Sequence, residues 1–70
     1  MATVERGLTR REIECLEWLG RGSDYAAIAK ELGVTIPTVS LHVANARKCL
    51  GAATREQALV LALQRGLINP

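Results

Sequence analysis

The segment Tyr25 to Leu50, YAAIAKELGVTIPTVSLHVANARKCL, leaves the chain little choice of fold. Tyr25, Ile28, Ala29 and Leu32 fall at i, i+3, i+4 and i+7, one apolar stripe of a short helix. Gly33 follows at once, where a left-handed residue closes a helix without a Cβ penalty. Val34 is a lone apolar residue placed to pin the turn to the core. Thr35 can cap the next helix, and Pro37 fits its first turn, where backbone N–H groups lack internal partners. Val39, Val43, Ala46 and Leu50 then form a second stripe at i, i+4, i+7 and i+11. Two helices crossing steeply at a short turn need a small residue at closest approach, and Ala29 supplies it. This pattern implies a helix-turn-helix, whose second helix lies in the DNA major groove. An unrelated helical hairpin would share some of these features but rarely all of them in register.

Seventy residues suffice for one domain with a small core. Nearly half of them are apolar, yet there is no Phe and only one Trp and one Tyr, so the core must be built from Leu, Ile, Val and Ala. Neither period-two alternation nor a run long enough to cross a bilayer is present. Met1 to Gly7 holds Glu5 and Arg6 and no apolar segment, unlike a signal peptide, so a cytosolic protein with no membrane partner, or an excised piece of one, is expected. The net charge of +2 says less than its distribution. Six of the seven acids lie at or before Glu31, and none falls between Leu32 and Arg55, where His42, Arg47 and Lys48 stand. A locally positive second half suits phosphate contact, although a solvated basic face would read similarly. Cys15 and Cys49 lack the partners of a four-ligand zinc site and read as reduced, half-buried small hydrophobes, with a disulfide as the alternative. One histidine, no glycine-rich phosphate loop and no clustered carboxylates leave no catalytic set, and neither metal nor cofactor is expected.

In chain order, residues 1–7 read as a tail or linker and residues 8–70 as the domain. Thr9 with Glu12 is a capping box, and Leu8 can staple against Ile13. The first helix should run from Arg10 to about Leu19, ending near Gly20 or Gly22. At about 100° per residue Leu16 centres its buried face, with Cys15 at the boundary and Trp18 pointing outward. Such a Trp suggests a partner surface, for an absent ligand domain or RNA polymerase, or nothing at all. Glu12 on the buried side needs a partner, either Arg55 or a backbone cap. Asp24 should cap a second helix, Tyr25 to Leu32, and the third runs from Ile36 to Leu50. Thr54 and Gln57 form another capping box before a fourth helix, Arg55 to Arg65. Gly66 should end it, with Leu67 and Ile68 folding back on the core. The fold class is all-α, four helices with three short connections.

Several of these residues also carry a family signature. L-T-R-R-E at Leu8 to Glu12, I-A-x-x-L-G-V at Ile28 to Val34, T-V-x-x-H at Thr38 to His42, R-x-x-A at Arg55 to Ala58 and G-L-I at Gly66 to Ile68 together resemble LuxR-type (GerE-type) DNA-binding domains. C-L-E-W at Cys15 to Trp18 and A-N-A at Ala44 to Ala46 are similar to the acyl-homoserine-lactone receptors of quorum sensing. The resemblance implies a C-terminal output domain that regulates transcription on double-stranded DNA in the bacterial cytoplasm, at the nucleoid, with an N-terminal ligand-binding domain absent from this chain. It places Ser40, Leu41 and Ala44 at base-contact positions and Thr38, His42, Arg47 and Lys48 near the sugar-phosphate backbone. The helical wheel agrees independently for Leu41, Ala44 and Lys48, and puts His42 at the flank, where a structural role is as good a reading. Relatives often carry Lys or Arg where Ser40 or Ala44 stands, so direct readout here is expected to be modest. Many also have Lys at the position of Ser23 and an acid at that of Ala27, which implies one phosphate contact and one capping interaction fewer.

The fourth helix has six apolar residues in succession, Ala58 to Leu63. Ala58, Leu61, Ala62 and Arg65 share a side suited to the core, whereas Glu56, Leu59, Val60 and Leu63 share the other. A two-fold copy of the same helix would cover that second side, giving a weak homodimer on a palindromic operator. The resemblance points the same way, while the bland alternative is a tail, Leu67 to Pro70, folded over the patch. Other readings are a response-regulator output domain, a sigma-factor promoter-recognition region, or a protein-interaction module that keeps the fold and has lost base contacts.

Overall fold

The computed structural model describes residues 4–5 and 7–69, the first pair by backbone course alone. Four helices follow in order: α1 (Arg10–Gly20), α2 (Tyr25–Leu32), α3 (Ile36–Leu50) and α4 (Arg55–Gln64). A two-residue antiparallel ladder, β1 (Val4–Glu5) with β2 (Leu8–Thr9), precedes them and pairs Val4 with Thr9 and Glu5 with Leu8. It is too short to show period-two alternation. Gly7 turns the chain between the strands at φ +87°, a conformation that favours glycine, and a Cβ there would lie 2.6 Å from the Cys49 sulfur unless that side chain turned away.

Each helix begins where its sequence supplies an acceptor for orphan N–H groups. Thr9 caps α1: the Glu12 N–H donates to Thr9 Oγ1 at 3.2 Å and the Thr9 N–H donates to Glu12 Oε1 at 2.9 Å, completing the box. That bond is also how Glu12, 7% exposed, is satisfied. Of the two expected partners it has the backbone cap, while Arg55 turns elsewhere. Asp24 Oδ1 accepts from Ala27 N–H at 2.8 Å to start α2, and Thr35 caps α3 with Pro37 in its first turn. Thr54 Oγ1 accepts from Gln57 N–H, but the Gln57 side chain reaches back to the Ala53 N–H at 2.6 Å rather than to Thr54. Gly33 closes α2 at φ +69°, with open space around it, so the backbone conformation alone selects glycine. Past α4, the Leu67 N–H returns to the Ala62 carbonyl at 2.9 Å, turning Leu67 and Ile68 onto the core.

The core has two lobes. Leu8, Leu16, Ala46, Leu50, Ala52, Ala58, Ala62 and Ile68 form one, with Ile13, Leu59, Leu61 and Leu67 half-buried around it. Cys15, Ile28, Ala29, Val39 and Val43 form the other, edged by Trp18, Leu19, Tyr25, Leu32 and Val34. The predicted stripe of α3 is buried throughout, its first half in the second lobe and its last half in the first. Helix α3 is therefore the pillar of the domain, held by α2 at one end and α4 at the other. Ala29, Ala46, Ala58 and Ala62 sit at these contacts, where small side chains let helices approach closely.

Two expectations for α1 need correction. Cys15 is fully buried rather than at a boundary, and Trp18 is half-buried against the second lobe rather than outward. The cause is tertiary: Ile28 and Ala29 of α2 with Val39 and Val43 of α3 pack beside α1 and extend its buried arc from Leu16 through Cys15 towards Trp18. The Trp18 ring is further covered by the Arg21 guanidinium, 5.2 Å from its centre.

Candidate nucleic-acid interface

The solvent face of α3 follows from the buried one. Directly opposite the stripe Val39, Val43, Ala46 and Leu50 lie Leu41, Ala44, Asn45 and Lys48, at i, i+3, i+4 and i+7. Leu41 is 58% exposed, the most exposed of the large aliphatic side chains among the described residues. Ser40 is exposed at one flank of this face, and Ala44 is partly covered. Ile36 at the start of the helix is also 49% exposed, so the leading end of α3 presents apolar surface. The three residues expected at base edges, Ser40, Leu41 and Ala44, are thus brought to one side of the helix.

The four residues expected near phosphates divide. Lys48 is exposed and makes no ion pair among the described residues. Arg47 is half-buried, and its Nη1 donates to the Ala52 carbonyl at 2.9 Å, tying the end of α3 to the following turn. A guanidinium has five N–H donors, so this bond leaves others to face outward. The Thr38 hydroxyl shares a 2.8 Å hydrogen bond with that of Thr35. His42 is half-buried at the flank. The ion pairs among the described residues, Arg11 with Glu14 at 3.3 Å and Arg55 with Glu56 at 3.1 Å, are exposed and lie on other helices. With no acid between Leu32 and Arg55, nothing on α3 opposes a polyanion.

On α4 the four residues expected at a pairing surface also differ among themselves. Val60 is 51% and Leu63 42% exposed, Glu56 is exposed, and Leu59 is half-buried against the first lobe, 3.8 Å from where a Cβ on Gly20 would stand. Leu67 and Ile68 pack on the core and leave Val60 and Leu63 uncovered. The Glu56 carboxyl is held below the usual carboxylate range by its own backbone N–H and by Arg55.

Sequence reasoning missed two features. Arg55 stacks over the Tyr25 ring, 5.2 Å from its centre, and the pair lines an open cleft of about 340 Å³ with Leu19, Asp24, Glu56 and Leu59. Nothing local signals this, because Tyr25 and Arg55 are thirty residues apart. Asn45 was also passed over, although its spacing of four from Leu41 places it on the exposed face. Among the described residues no three His, Cys, Asp or Glu side chains gather into a metal-binding group, and no helix is long and apolar enough to cross a membrane.

Comparison with known proteins agrees with this geometry. Residues 6–62 match the GerE family, described as bacterial regulatory proteins, luxR family. The transcriptional activator protein VanR of Vibrio anguillarum is 43% identical over 63 residues, which is 90% of this chain and 26% of VanR. The chain thus spans about a quarter of the length of such curated relatives. The transcription factor GerE superposes with a TM-score of 0.85 at 32% identity, covering 89% of this chain and 92% of that one. A dimer of the LuxR-type receptor VqmA from Vibrio cholerae, solved in the absence of its target DNA, gives 0.83 at 37% identity over 97% of this chain and 31% of VqmA. The fold, the exposed face of α3 and these similarities agree that the chain belongs to the luxR family of bacterial regulatory proteins, as that family's helix-turn-helix DNA-binding domain.

Proposed function

We propose that this domain, residues 8–70 with residues 1–7 leading into it, is the output module of a longer, ligand-responsive regulator of the quorum-sensing kind. It docks α3 in the major groove of a palindromic operator. Ser40, Leu41 and Ala44 meet base edges, while Thr38, His42, Arg47 and Lys48 lie along the phosphates. A second copy pairs through Glu56, Leu59, Val60 and Leu63, setting two copies of α3 about one DNA turn apart. RNA polymerase is the further partner of such a module, and the bacterial cytoplasm is where it would act.

The observation that carries this reading is the outer face of α3, apolar at Leu41, small at Ser40 and Ala44, cationic at Lys48 and free of acids. The acid-free flank beside Lys48 suits a polyanion, and salt-dependent binding to duplex DNA separates this reading from a protein-docking surface. Leu41 and Ala44 can offer only apolar contacts, best made to thymine methyls, so DNA shape supplies part of the discrimination. Micromolar or weaker binding is therefore expected of the isolated domain. Titration of duplex DNA at several salt concentrations tests the proposal: affinity should fall steeply as salt rises. Duplex binding indistinguishable from buffer at low salt would favour the protein-interaction module instead.

A further inference from the structure

The outer stripe of α3 contains one residue able to donate to a base edge and accept from it at the same time. We propose that Asn45 is a specificity-determining residue of this domain and that it reads an adenine; the proposal rests on the docking of α3 just described. Asn45 is exposed, and its side-chain amide makes no hydrogen bond to any described residue. A carboxamide held on a rigid helix with both its donor and its acceptor unused matches the N6 donor and N7 acceptor of adenine in the major groove. The other residues of the stripe cannot do this. Leu41 and Ala44 lack polar atoms, and Lys48 has donors only. Asn45 also stands one helical turn beyond Leu41, about 6 Å along the axis, so a methyl contact from Leu41 and an amide contact from Asn45 fall on nearby base pairs of the same groove. Since Ser40 and Ala44 are small, the discrimination at one base pair of each half-site falls to Asn45.

The test is a selection from a library of randomised duplexes at low salt, run in parallel with the wild-type domain and with Asn45→Ala and Asn45→Asp. Asn45 is exposed, so both variants should keep the helical circular dichroism of the wild type. The wild type should enrich a motif with adenine at one position per half-site. Asn45→Ala should lose preference at that position alone, by about 5- to 150-fold against the next best base, and keep the rest of the motif. Asn45→Asp, which can only accept, should move the preference there towards cytosine, whose N4 group donates. Equal weakening on every duplex would make Asn45 a phosphate contact and overturn the proposal, and so would an unchanged motif. A wild-type domain that enriches no sequence overturns the docking of α3 itself, whereas an enriched motif indifferent to Asn45 overturns this inference alone.

Discussion

Replacing Val60 by glutamate should separate pairing on DNA from folding. Val60 and Leu63 are 51% and 42% exposed, so about half of each side chain remains to be buried by a partner. Full burial of such a residue is worth roughly 1.5–3 kcal/mol, so the remaining half contributes about 1 kcal/mol, and four side chains across a two-fold axis give about 4 kcal/mol. Association in free solution costs an estimated ~4–15 kcal/mol in lost translation and rotation, so the free domain should be monomeric or in weak exchange. On a palindrome the two half-sites already hold the copies together. The same ~4 kcal/mol then appears as cooperativity, a factor of roughly a thousand at most. Val60→Glu removes half of that apolar gain and sets two carboxylates across the axis near Glu56 of each copy. In gel-shift titrations it should bind a full palindrome no more tightly than two independent half-sites, while single half-site affinity and helical circular dichroism stay as in the wild type. Cooperative binding that survives the substitution would refute pairing through α4. An unfolded variant would show that Val60 belongs to the core and refute the assignment differently.

Other substitutions test the separate parts. Lys48→Ala should weaken binding to all duplexes alike and reduce the slope of log affinity against log salt by about one unit, read from titrations on selected and random DNA. Glu12→Ala should lower stability by about 2 kcal/mol, because the Thr9 N–H loses its acceptor at a buried helix start, whereas Glu12→Gln, which keeps a carbonyl oxygen there, should lose far less in thermal melts. The Cys15 thiol is pushed up to about 11 by burial and the neighbouring Glu14, against an ordinary 9.0. The unfolded chain therefore loses that proton first as pH rises, so between about pH 9 and 11 stability should fall more steeply in the wild type than in Cys15→Ala.

How much of this was legible in the sequence depends on the range of the interaction. The caps at Thr9, Asp24, Thr35 and Thr54 join groups three residues apart, and all four helix starts fall where the sequence places them. The stripe of α3 was equally plain, because a central helix buried along one side obeys a single period. Helix α1 does not. It serves two lobes, Leu16 in one and Cys15 in the other, and its buried arc widens towards Trp18 because α2 and the first half of α3 together form the second lobe beside it. A wheel centred on one stripe has no knowledge of a second neighbour. The bond from Arg47 to the Ala52 carbonyl and the stack of Arg55 on Tyr25 belong to the same class, being set by the path of the chain after a helix ends. Asn45 lay within reach of helical spacing, while the resemblance draws the expectation of base contact to Ser40, Leu41 and Ala44.

The two faces of α3 share no residue, and this shapes what the domain can vary. Val39, Val43, Ala46 and Leu50 tie both lobes of the core together, so a change of volume at any of them acts on the whole fold. Ser40, Leu41, Asn45 and Lys48 are exposed and outside both lobes. Substitution of surface residues away from caps and networks ordinarily moves stability by no more than about 0.5 kcal/mol. A new base preference at those positions therefore needs no compensating change in the core. The position of Ala44 is different, since it is partly covered and a larger side chain there must find room beside the neighbouring turn. In the proposed docking, small side chains at Ser40 and Ala44 leave the reach into the groove to Leu41 and Asn45. On that proposal the domain gains selectivity chiefly by adding a second copy, which the uncovered Val60 and Leu63 would seat.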